Sequence, residues 1–117
     1  MAPLQLLGTP VSSDFMGLRW SNFIEVDNVI SSFPNNRGVY RVKSLESDVL
    51  LYIGESINIR NRIRSHFRKD WGQKIGISYC ILEDAKSYHL KETEKNLIGG
   101  YYSIQQNVPR FQFRNLQ

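Results

Sequence analysis

The chain has 117 residues, 41% of them hydrophobic and 22% charged, and fifteen Lys and Arg against eleven Asp and Glu leave a net charge of +4. That length suits one domain with no room for a second module of similar size, and the ordinary apolar fraction excludes wholesale disorder. A single cysteine, Cys80, excludes a disulfide framework and a cysteine zinc site. No apolar run approaches the roughly 18 residues of a spanning helix and no secretion signal opens the chain, so a soluble, cytoplasmic protein without a membrane partner is expected.

Residues 1–20, where Pro3, Gly8, Pro10, Ser12 and Ser13 separate short apolar pieces, read as an arm that stays loose unless it docks. Residues 21–117 read as a single domain. Asp27 can cap a short helix to Phe33, with Val29, Ile30 and Phe33 on one face, and Pro34-Asn35-Asn36 then breaks the chain. The β-branched and aromatic runs GVYRVK (38–43) and VLLYIG (49–54) flank the polar SLESD, which predicts a hairpin with a five-residue loop. If Lys43 faces Val49, Tyr40 falls directly opposite Tyr52. A helix from Asn58 to Arg68 follows, then a strand from Ile75 to Leu82, then a helix from Asp84 or Ala85 that stops at Gly99-Gly100, and an irregular tail with Pro109. The order predicts an α+β fold with a small antiparallel sheet flanked by helices, because five residues can join the first two strands only as a hairpin.

Charge is concentrated after Gly54. Residues 60–69 hold Arg60, Arg62, Arg64, Arg68 and Lys69 and no acid, so the helix there either faces something anionic or is a solvated face that tolerates its own repulsion. Ile59, Ile63 and Phe67 form its buried stripe, with Arg62 and His66 on one flank and Arg60, Arg64 and Arg68 on the other. Arginine suits phosphate because it is always charged and can bond two oxygens at once. On the last helix the stripe Leu90, Leu97, Ile98 and Tyr101 carries Glu94 in its middle, where a carboxylate needs a cation. That cation is either an arginine in a salt bridge or a hard metal ion such as Mg²⁺. Taken alone, Tyr40 and Tyr52 read as half-buried strand tyrosines and Gly38 and Gly54 as strand ends. His66 and His89 lack zinc-ligand spacing, and no P-loop or serine nucleophile motif is present.

Together, GVY at 38–40, YIG at 52–54, Ser56, Asn58, Arg62, His66 and Glu94 in ETEKNLI resemble the GIY-YIG nuclease family over about residues 34–112. The resemblance implies a three-stranded antiparallel sheet flanked by helices and hydrolysis of DNA phosphodiesters with one Mg²⁺ or Mn²⁺, in DNA repair or restriction. It implies Glu94 as metal ligand, Arg62 as phosphate clamp, Tyr40 and Tyr52 as the pair that handles the attacking water, and His66 as in the restriction-enzyme branch. A tyrosine base would have to be made more acidic than its usual pKa of ~10 by neighbouring cations. Gly54 would end the second strand at the site. Two positions depart from the family: Gln112 stands where relatives often have an Asn after a proline, with Asn115 three residues on, and Gly99-Gly100 interrupts the last helix. Specificity is then expected from DNA structure, a homodimer, the N-terminal arm or a targeting partner protein. The rival readings are a nucleic-acid-binding module that has lost catalysis, and an interaction domain in which Arg62 and Glu94 bridge one another.

Overall fold

The computed structural model describes residues 4–26, 32–67 and 71–112. Most of the short helix expected from Asp27, and Arg68, Lys69 and Asn115, lie outside them. The described elements are β1 (Ile24–Glu25), β2 (Gly38–Ser44), β3 (Leu50–Ser56), α1 (Ile59–Phe67), β4 (Ile75–Ile81) and α2 (Ser87–Gln105), with a 3-10 turn at Phe15–Gly17. The sheet is antiparallel in the order β1-β4-β2-β3, one strand more than expected, because Ile24 and Glu25 pair with Ile77 and Gly76 of β4. Among the described residues no helix is long and apolar enough to cross a membrane.

The hairpin register differs from expectation. Tyr40 pairs with Gly54 and Val42 with Tyr52, and the register then shifts so that Lys43 faces Leu50. Asp48 takes a left-handed φ of 56° and the Ser44 amide closes the turn on the Val49 carbonyl at 3.0 Å. The shift moves Tyr52 two residues from its expected partner. Side chains alternate with a period of two, so a slip of two keeps both tyrosines on one face as diagonal neighbours.

Both faces of the sheet are covered, which is why β2 is buried almost throughout. On one face Val39, Ile53 and Cys80 pack against Leu97 and Tyr101 of α2 and against Phe15, Met16 and Trp20. Residues 4–20, expected to be loose unless docked, therefore do dock. The opposite face packs Tyr40, Val42 and Ile77 against Ile59 and Ile63 of α1, with Phe33 and Trp71 closing the layer.

The last helix also departs from expectation. It starts later, at Ser87, and runs through Gly99-Gly100 to Gln105, where Gln106 ends it in a left-handed turn with φ 62°. Glycine inside a helix costs about 1 kcal/mol relative to alanine. At Gly100 the cost is offset by docking, since a Cβ there would overlap the Met16 thioether. The outer edge of β3 is closed by the tail: the Phe111 amide donates to Leu51, and the Gln112 side chain both accepts from and donates to the Ile53 backbone at 2.7 and 2.6 Å. Gln112 thus acts as a surrogate strand residue that satisfies an edge.

Candidate active site

Gly54 lies inside β3 rather than at its end. A Cβ on it would overlap Oη and Cζ of Tyr40, so the glycine makes room for the Tyr40 ring to lie across β3 toward Tyr52. The two tyrosine rings stack with centroids 6.1 Å apart. Gly38 serves a different approach, since a Cβ there would overlap the Cys80 carbonyl of β4.

The helix that carries the cations is fixed at its start. Ser56 Oγ accepts from the Asn58 amide at 3.0 Å, and Asn58 Oδ1 accepts from the Asn61 amide at 3.0 Å, so these two residues cap α1. The amides of Ile59 and Arg60 donate to the carbonyls of Asn36 and Pro34. Arg62 and His66, one turn apart, do not share an environment: Arg62 is exposed and His66 is 2% exposed. The His66 ring sits against Tyr40, Tyr52 and Trp71, with Nε2 2.7 Å from the Tyr40 hydroxyl, and Trp71 Nε1 donates to the His66 carbonyl at 3.2 Å.

Electrostatics joins these groups to α2. Burial raises the Tyr40 phenol well above its usual range, and the smaller contributions include Tyr52 and Glu94, which raise it, and Arg62, which lowers it. Burial likewise raises Tyr52, with Glu94 adding to the rise, while Arg62 and hydrogen bonding to Tyr40 oppose it. Neither phenol is therefore more acidic than a free tyrosine, against expectation, because desolvation outweighs the nearby arginine. The Tyr40 hydroxyl and His66 Nε2 share a buried hydrogen bond whose direction follows the His66 tautomer, and Tyr40 can donate when Nε2 carries no proton.

Glu94 sits on the flank of the α2 stripe, half-exposed, while Thr93 fills its buried middle. The displacement arises because the small side of the helix, Thr93 and Gly100, faces inward with Leu90, Leu97 and Tyr101. Burial and the Glu55 carboxylate raise the Glu94 pKa, against the Glu55 backbone amide, Lys91 and Arg62. Among the described residues Lys43 pairs with Asp48 at 2.7 Å and Lys91 with Glu55 at 3.6 Å, and no ion pair joins Glu94 to Arg62. Nor, among the described residues, are three or more His, Cys, Asp or Glu gathered as an all-protein metal cage. An under-neutralised carboxylate with a second one, Glu55, nearby fits a hard divalent ion that takes its other ligands from water and substrate phosphate.

The match to known proteins covers this assembly. The GIY-YIG catalytic domain matches residues 36–105. The chain belongs to the GIY-YIG nuclease family. It is 45% identical to UvrABC system protein C of Bdellovibrio bacteriovorus over 79 residues, 63% of this chain and 12% of that protein. It is 32% identical to the protein of the same name from a Geobacter species over 85 residues, 71% of this chain and 13% of that protein. The Streptococcus thermophilus protein is 28% identical over 89 residues, 76% and 15% of the two. The chain thus spans about one eighth of the length of these GIY-YIG relatives.

Of the arginines expected to track nucleic acid, Arg64 is exposed and donates to its helix neighbour Asn61 at 3.1 Å, whereas Arg60 Nε donates to the Phe33 carbonyl at 2.6 Å. Three residues that sequence reasoning did not single out border the site. Trp71 walls it beside His66 and Tyr52, and Glu55 and Lys91 flank Glu94. Lys91 had a sequence signal, being three residues before Glu94 and so close to it on the helix surface.

Proposed function

We propose that this chain is a divalent-metal-dependent DNA endonuclease whose reaction is centred on Tyr52, Tyr40, His66, Arg62 and Glu94. The observation that carries the reading is the buried hydrogen bond between Tyr40 and His66 behind the more exposed Tyr52. It provides a proton acceptor that neither phenol can be by itself.

Bound Mg²⁺ or Mn²⁺, held by Glu94, would polarise the phosphoryl group. Arg62 binds the phosphate oxygens and stabilises the charge that grows on them as phosphorus becomes pentavalent. Tyr52 positions the attacking water. As the water oxygen bonds to phosphorus, its proton passes to Tyr52, the Tyr52 proton to Tyr40, and the Tyr40 proton to Nε2 of His66. The bond to the leaving oxygen breaks, and that oxygen takes a proton from solvent. Tyr40 ends as it began, so its raised pKa is no obstacle, and the charge arrives on the group whose usual pKa lies nearest neutrality. Arg64 lies on the exposed side of α1, where it would follow the DNA backbone. Targeting would come from DNA structure, a second copy or a partner protein.

Two features bear on the rivals. Gln112 is occupied with the Ile53 backbone, so its difference from asparagine concerns a strand edge rather than the reacting groups. The interaction-domain reading needed an Arg62–Glu94 bridge, and none is present among the described residues. The test is a nicking assay on supercoiled, branched and single-stranded DNA with Mg²⁺, Mn²⁺ or EDTA. Nicking of at least one substrate with metal and of none in EDTA is expected; binding without cleavage of any would instead indicate a binding module.

A further inference from the structure

Beside the site, a cleft of about 160 Å³ between α1 and α2 is lined by Glu55, Ser56, Ile57, Arg62, Ser87 and Lys91. Water occupies about 30 Å³ per molecule in the liquid, so the cleft holds several waters or one solvated oxyanion. Ser87, Lys91 and Glu94 lie on one flank of α2 at spacings of four and three residues, so the cleft and the site share a helix face.

Lys91 lies in this cleft in a telling arrangement. It is 69% exposed, and its ammonium meets the Glu55 carboxylate only at 3.6 Å, whereas Glu55 is 16% exposed and bound to its strand. The long arm is open to solvent and the acid is largely covered. A weak ion pair at a solvent-open cleft is easily exchanged for another anion. Arg62, the proposed clamp of the scissile phosphate, also lines the cleft from α1, which sets the cleft next to the scissile position.

Resting on the reading of the chain as a DNA nuclease, we infer that this cleft seats a second DNA phosphate, one step along the strand from the scissile one. Lys91 and the Ser87 hydroxyl grip it, and Glu55 is the internal anion that holds Lys91 until DNA arrives. The carboxylate occupies the ammonium as a phosphate oxygen would. Ile57, 63% exposed at the rim, offers an apolar surface to a deoxyribose, which a free phosphate would not use.

The inference makes opposite demands on the two partners of one ion pair. Lys91→Ala removes a phosphate contact, so DNA affinity falls and the slope of log K against log salt becomes shallower by about 0.9 for duplex DNA. Glu55→Gln removes a competing anion, so affinity rises, by roughly threefold, with the salt slope unchanged or steeper. If the pair were only a tie between α2 and β3, both variants would weaken binding together with the melting temperature. The experiment is fluorescence anisotropy of labelled duplex DNA over a salt series in EDTA, with thermal melts of each variant. Opposite signs at similar melting temperatures support the second phosphate seat. Changes of the same sign, or none, in a wild type that binds DNA overturn it and leave the nuclease reading standing, whereas a wild type that binds no DNA overturns both. Inorganic phosphate at constant ionic strength is expected not to compete; competition that vanishes in Lys91→Ala would assign the cleft to the free anion and also overturn the inference.

Discussion

Tyr40 and Arg41 are adjacent in β2, both polar and both almost fully buried, yet they lie on opposite faces of the sheet and do unlike things. Arg41 lies under Trp20 and Phe23, with its guanidinium carbon 4.4 and 4.7 Å from their ring centroids and Nη1 donating to the Pro10 carbonyl at 2.7 Å. Burial lowers its pKa to about 10, which leaves it charged at neutral pH, and it ties residues 10–23 to the sheet. Tyr40 faces groups that can exchange protons: a histidine at hydrogen-bond distance, a second phenol, and the fields of Arg62 and Glu94. Burial alone therefore does not mark a functional polar residue. On the proposed mechanism, what distinguishes Tyr40 is a partner able to change protonation state and a route to solvent through Tyr52.

The largest effects are expected from Tyr40→Phe and Tyr52→Phe. Each keeps its ring in the stack and removes one link in the proposed proton path, so single-turnover cleavage should fall by about 10²–10⁴-fold. Melting temperature should be nearly unchanged in Tyr52→Phe and lowered in Tyr40→Phe, where leaving His66 Nε2 unpaired costs about 1–3 kcal/mol. Normal cleavage by both would make the tyrosine face as purely structural as the arginine face. Arg62→Ala should cost about 10²–10³-fold in cleavage and much less in DNA affinity, because its charge matters most in the transition state. A loss of equal size in both would mean that Arg62 merely binds.

Arg41 should show the reverse pattern. Arg41→Ala removes packing against two aromatic rings and should destabilise by about 2–3 kcal/mol, read as a shift in denaturant midpoint. Cleavage per folded molecule should stay within about twofold. Arg41→Met, which fills the space without burying a charge, should recover much of the stability. Loss of activity in folded Arg41→Met would dissolve the distinction between the two faces.

How far this distinction could be read from the sequence varies by residue. The tyrosines, Arg62 and Glu94 were legible because their order and spacing form a family pattern, and the shared face of the tyrosines survived a register error because two residues is one full period of a strand. The bulge near Lys43 was not legible, since nothing in SLESD distinguishes a turn closed by Ser44 and Val49 from one residue further out. Nor was β1, whose two residues carry no periodicity. Gly99-Gly100 looked like a helix stop because glycine is intrinsically poor there, and only the docking of Met16 explains why the helix continues. The burial of His66 follows from Trp71, which the sequence does not place beside it.

The smallest expected effect concerns Glu94 and pH. Its pKa in the folded chain is raised above the ordinary 4.5, mainly by burial and then by Glu55. Between those two values the folded state binds more protons than the unfolded one, so metal-free stability should fall as pH rises through the window. Glu94→Gln should remove that dependence and raise the melting temperature slightly at neutral pH. A marked drop would reveal an ion pair of Glu94 that is absent among the described residues.

The most direct test of the central claim is single-turnover nicking of a cleavable DNA by Glu94→Gln in Mn²⁺, with binding of the same DNA measured in parallel. If Glu94 gathers the ion at the phosphate, as its half-buried and under-neutralised position supports, cleavage should disappear while binding persists or tightens through the lost negative charge. Cleavage at the wild-type rate by the variant would contradict the account.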